Sequence, residues 1–91
     1  MSRILVQVPP ALREFTGGAA DLQLQAGSLA ELLAALSSSH PALAARLVDP
    51  DGGVRPYVHL FVDREPMRAA DLQRPLHESA VVSVIPAVAG G

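Results

Sequence analysis

GSLAELLAALSSSHP, residues 27–41, is the stretch on which the fold turns. Leu29, Leu32, Leu33 and Leu36 recur at helical spacing and form one apolar stripe. Ser28 stands where an N-cap belongs and Glu31 follows three residues later, the pattern of a reciprocal capping box. Three serines, then His40 and Pro41, close the helix. A lone amphipathic helix can hide its leucines only against another layer, so the rest of the chain has to supply a sheet.

The flanking segments alternate with period two. In RILVQV (3–8), Ile4, Val6 and Val8 share one face while Leu5 and Gln7 share the other, and Pro9-Pro10 end the strand. ALREFTGG (11–18) is a connection with Gly17-Gly18 suited to a turn, and DLQLQ (21–25) directs Leu22 and Leu24 inward, forming a hairpin with the first strand. After the helix, PALAARLV (41–48) reads as a short second helical turn with Leu43 and Leu47 on the core. DPDGGV (49–54) is a turn, and RPYVHLFVD (55–63) puts Val58, Leu60 and Val62 on one face and Tyr57, His59 and Phe61 on the other. DREP turns the chain into a mostly irregular stretch with a short strand near Met67, and AVVSVI (80–85) is the last strand, Val82 and Val84 inward. The order predicts an α+β fold: a mixed four- to five-stranded sheet, first and last strands parallel in the middle, one main helix across one face. That is the β-grasp, or ubiquitin-like, arrangement.

The 91 residues predict one domain over 1–86 followed by a flexible tail over 87–91. The chain has no cysteine, which removes disulfides, thiol nucleophiles and thiolate metal sites. A net charge of −2 gives no reason to expect nucleic acid or an anionic membrane, and the opening MSRILVQVPP is too short for a signal peptide or a span. A cytoplasmic location is the expectation. All basic residues are arginines. A GC-rich genome accounts for that, and so does a chain whose activated C-terminal acyl group must meet no side-chain amine of its own kind.

Conventional catalytic groupings are absent. His40, His59 and His77 have no neighbour at metal-ligand spacing and read as surface or edge residues. Asp49, Asp51, Asp63, Glu65, Asp71 and Glu78 fall mostly in turns, where carboxylates cap backbone amides. TGG and DGG lack the Lys-Ser/Thr of a phosphate loop. No catalytic residue and no metal ligand is expected; the protein does not read as an enzyme.

The ending VVSVIPAVAGG (81–91) is different. Gly17-Gly18 and Gly52-Gly53 lie within connections, where positive φ explains them, but nothing follows Gly90-Gly91 to be turned. A terminal glycine pair is thin enough to enter a channel and leaves the carboxylate unhindered. Ala87, Val88 and Ala89 with the two glycines span about 17 Å when extended, enough to carry Gly91 into a partner's active site. Leu5, Phe61, Val81 and Ile85 face away from the helix and are expected to form the partner-docking patch.

In this combination the chain resembles the MoaD/ThiS family of ubiquitin-like sulfur carriers over its whole length. The resemblance rests on RILVQVP, LREFTGG, the capped leucine helix, VHLFVD and above all VSVIPAVAGG. Within the family, LREFTGG, LVDPDGGVRPYV and PAVAGG look most like CysO-type carriers, which serve cysteine synthesis. His77-Glu78-Ser79 stands where many relatives have an acidic-Gly-acidic turn, and Asp63 where an asparagine often starts the preceding turn. The resemblance implies that the protein is a co-substrate. An E1-like adenylyltransferase/sulfurtransferase joins the Gly91 carboxylate to AMP, using ATP and magnesium that this chain does not itself bind. A sulfur donor then replaces AMP, leaving a thiocarboxylate. A cysteine synthase accepts that sulfur in the CysO-like branch, where a zinc-dependent peptidase releases the product. In the MoaD-like branch the acceptor is molybdopterin synthase, in the ThiS-like branch thiazole formation. Another class, a ubiquitin-like protein modifier or non-covalent module, stays open on the residues alone.

Overall fold

The computed structural model describes residues 1–86, and the tail expected over 87–91 lies outside the described residues. The elements run β1 (Ser2–Gln7), a 3₁₀ helix (Pro10–Thr16), β2 (Asp21–Ala26), α1 (Leu29–Ser39), α2 (Pro41–Leu47), β3 (Val58–Val62), β4 (Glu65–Met67), a 3₁₀ turn (Ala69–Asp71) and β5 (Val81–Pro86). The strands form one five-stranded sheet in the order β2-β1-β5-β3-β4. β1 and β5 are parallel, Leu5 level with Val81, and every other pairing is antiparallel. This is the β-grasp topology that the strand and helix order predicts.

α1 starts as its sequence dictates, with one difference. Ser28 Oγ accepts the Glu31 N–H at 3.2 Å, but Glu31 Oε1 reaches past Ser28 to the N–H of Gly27 at 2.7 Å. Gly27 permits that approach, because a Cβ there would lie 2.9 Å from the same oxygen. The helix stops at His40, whose backbone (φ −137°, ψ 66°) has left the helical region that a following proline disfavours, and Pro41 opens α2. Leu29, Leu32, Leu33 and Leu36 of α1 and Leu43 and Leu47 of α2 are buried against Ile4, Val6, Val58, Leu60, Val82 and Val84 of the sheet. The connection after β1 is more ordered than a plain turn. Its 3₁₀ helix carries Phe15 to the core's edge, and the Arg46 guanidinium of α2 sits over that ring at 4.6 Å.

Candidate functional site

β5 occupies the middle of the sheet, held by β1 on one side and β3 on the other, and its last residue, Pro86, is level with Val58. Pro86 therefore ends a strand that is paired on both sides. The residues expected to carry the chemistry, Gly90 and Gly91, and those expected to enter a partner, Ala87, Val88 and Ala89, lie outside the described residues.

The face opposite the helices is described in full. Period two puts Leu5 on β1, Val81 and Ile85 on β5, and Phe61 on β3 all on that face, and the register sets their spacing. Leu5 lies beside Val81; Phe61 is level with Ser83, and Ile85 with His59. The patch is less continuous than alternation implies. Ser83 Oγ donates to Gln7 Oε1 at 2.9 Å, placing a polar pair among the four apolar residues. Leu5, Phe61 and Val81 are half-buried, whereas Ile85 is 49% exposed. A polar pair flanked by aliphatic and aromatic side chains suits a protein surface better than a lipid.

One end of this face carries a charged cluster that the sequence did not reveal. The Asp63 carboxylate accepts the Val81 N–H at 3.0 Å through Oδ1 and a hydrogen bond from His77 Nε2 through Oδ2. His77 Nδ1 lies 2.9 Å from the Glu78 carbonyl, which can only accept. Both ring nitrogens thus face acceptors, and only the imidazolium satisfies both. The Asp63 bond first and the Glu78 carbonyl second push His77 above the ordinary histidine value. The Val81 N–H, then His77, hold Asp63 below the usual carboxylate value. Glu78 is lowered in turn, chiefly by accepting the Arg3 backbone N–H at 3.0 Å. Capping of backbone amides by turn carboxylates, expected from the sequence, is what Asp63, Asp71 and Glu78 do. The pairing of His77 with Asp63 had no sequence signal, since fourteen residues separate them and only the β3–β5 register brings them together.

The groups of this cluster are all exposed. Among the described residues no group of three or more His, Asp or Glu is placed to hold a metal, and no helix is long and apolar enough to cross a membrane.

A sequence model of the ThiS family matches residues 6–91. The chain belongs to the ThiS family. The sulfur carrier protein CysO of Mycobacterium tuberculosis is 29% identical over 91 residues, which cover 97% of this chain and 98% of that protein. Among solved structures, a chain of the Amycolatopsis orientalis BexX/CysO complex superposes on this ThiS-family fold with a TM-score of 0.86 at 27% identity, covering 97% of this chain and 99% of that one. SAMP1 of Haloferax volcanii superposes at 0.84 with 20% identity over 99% of this chain and 100% of its own, a likeness of fold. The ThiS-family match begins in β1 and runs through Gly91, so it includes both the central strand and the glycine pair.

Proposed function

We propose that this ThiS-family protein is a sulfur carrier whose reactive group is the Gly91 carboxylate, and that it is acted on by partner enzymes rather than being a catalyst. The observation that carries the reading is the family match over residues 6–91, which takes in both β5 at the centre of the sheet and Gly91. A carboxylate resists attack because its charge is shared by two oxygens. An E1-like enzyme using ATP and magnesium converts it to the acyl-adenylate with loss of pyrophosphate. The terminal sulfur of a persulfide then displaces AMP, and cleavage of the S–S bond by a thiol leaves the thiocarboxylate. The likeness to CysO carriers favours cysteine biosynthesis as the destination of the sulfur, with a cysteine synthase as acceptor and a zinc-dependent peptidase for release. Leu5, Phe61, Val81 and Ile85, around the Gln7–Ser83 pair, form the surface that docks on the adenylating enzyme. Ala87, Val88, Ala89 and Gly90 thread the terminus into that enzyme's active site.

Intact-mass measurement after co-expression with a cognate adenylating enzyme and sulfurtransferase tests this. The expected result is exchange of one oxygen for sulfur at Gly91. Recovery of the free acid alone under those conditions would defeat the reading.

A further inference from the structure

The two edges of the sheet are treated differently. β4 has only three residues, Glu65–Met67, with Pro66 in the middle: a short strand that cannot template a long pairing. β2 is a six-residue strand, DLQLQA, with no proline and no basic residue. Beyond its C-terminal end the edge is closed, because Leu76 donates to the Gly27 carbonyl at 2.9 Å and Ala30 to the Leu72 carbonyl at 2.9 Å. From Asp21 to Gln25 no backbone hydrogen bond from the described residues closes it.

The β1 hydrogen bonds reveal which β2 groups point outward. Leu5 N–H donates to Ala80 on the β5 side and Val8 N–H to Ala20 on the β2 side. Backbone groups alternate along a strand, so Val6 and Ile4 face β2 and bond their partners Leu22 and Leu24. Asp21, Gln23 and Gln25 consequently turn their N–H and C=O groups to the open edge, and all three residues are exposed.

We propose that this edge pairs antiparallel with β2 of a second copy of the chain, in one register centred on Gln23. The outward-pointing groups admit few alternatives. Only residues with outward groups can exchange bonds, and the register that sets Gln23 against Gln23 of the second copy and Asp21 against its Gln25 is the one that pairs all three; an offset by two residues leaves one of them unpaired. Each facing pair exchanges two hydrogen bonds, as the close pairs of an antiparallel ladder do. A two-fold axis perpendicular to the sheet maintains this pairing and keeps the helices of both copies on one side. The side chains agree: an Asp21 carboxylate meets a Gln25 amide that can donate to it, and two Gln23 amides meet at the axis, with no like charges opposed. The interface is small and is separated from β5 by β1; Gln23 is level with Leu5 and Asp21 with Gln7, so pairing borders one side of the outward patch and leaves β5 free. A weak, reversible dimer is the form such a small contact takes.

Sedimentation velocity of the full chain, from about 10 μM to about 1 mM, tests this, because small interfaces associate in that range. The expected result is a reversible shift toward dimer at the high end. Gln23→Pro removes an outward N–H without touching the β1 ladder and should leave a folded monomer by circular dichroism. Gln23→Glu sets two carboxylates face to face only in the self-paired register. It should weaken association several-fold at low salt, with partial recovery at high salt. Gln23→Val should tighten it several-fold through a cross-strand aliphatic pair. Three outcomes each overturn the proposal: a monomer at every concentration, a dimer indifferent to all Gln23 variants, or a monomer that captures extended peptides without self-associating.

Discussion

The imidazole of His77 bonds through Nε2 to the Asp63 carboxylate, tying the turn after β3 to the turn before β5. His77 adds stability at low pH, fully present below about pH 6.5 and fading as pH rises through its raised native value. Asp63 has the opposite sign: its contribution is present above about pH 4 and lost as pH falls through its lowered native value. The pair therefore stabilises most between roughly pH 4 and 6.5. Urea midpoints should separate wild type from His77→Ala more at about pH 5.5 than at about pH 9. Asp63→Asn keeps an acceptor for Val81 while discarding the charge, and should flatten the same profile. A difference that does not vary with pH would show that the bond has no titrating consequence.

The turn at Asp63-Arg64 joins β3 to β4 with both residues at positive φ, 50° and 74°, the backbone of a two-residue type I′ hairpin. Ser79, at φ 69°, holds a similar position in the turn leading to β5, closed by Ala80 N–H on the His77 carbonyl at 3.1 Å. A side chain in that region costs roughly 1–2 kcal/mol, partly offset by glycine's greater freedom when unfolded. Arg64→Gly and Ser79→Gly should each raise stability by a few tenths to about 1 kcal/mol in denaturant titrations. A loss of stability in either would mean the side chain contributes more than its backbone strain costs.

Leu36 is 1% exposed on the buried stripe of α1. Leu36→Ala should cost about 2–5 kcal/mol, read as a fall in the urea midpoint at unchanged slope. A cost well below that range would place the stripe outside the core.

Ile85 is the better probe of the outward face, being half-exposed where Phe61 is more buried. Ile85→Asp should lower ATP–pyrophosphate exchange by a cognate adenylating enzyme at least ten-fold with an unchanged circular dichroism spectrum, about 1.4 kcal/mol per decade of affinity. Phe61→Asp should do the same with some loss of stability. Exchange that is untouched by both would move the docking surface elsewhere.

Gly91→Val tests the thin-terminus idea separately. A branched side chain at the reacting carbonyl should reduce adenylation sharply while thermal unfolding stays at the wild-type midpoint. Full adenylation of that variant would refute any narrow channel.

The periodicity of residues 27–41 and of the four alternating segments determined the elements, the inward leucines and valines, and through them the sheet-and-helix architecture. These are local signals, since burial on one face repeats every few residues and can be read without knowing the partner. The resemblance carried by PAVAGG was likewise legible, because a family's ending is a contiguous string. What only the tertiary structure decided is what depends on register and closure. Arg3 meets Glu78 across seventy-five residues, and Gln7 meets Ser83 inside an otherwise apolar patch. β2 presents a six-residue outer edge where β4 presents three residues with Pro66 in the middle. Each of these follows from which strand lies beside which, and at what offset. Strand order and offset are fixed by the whole core packing at once, and no short window of sequence contains that information.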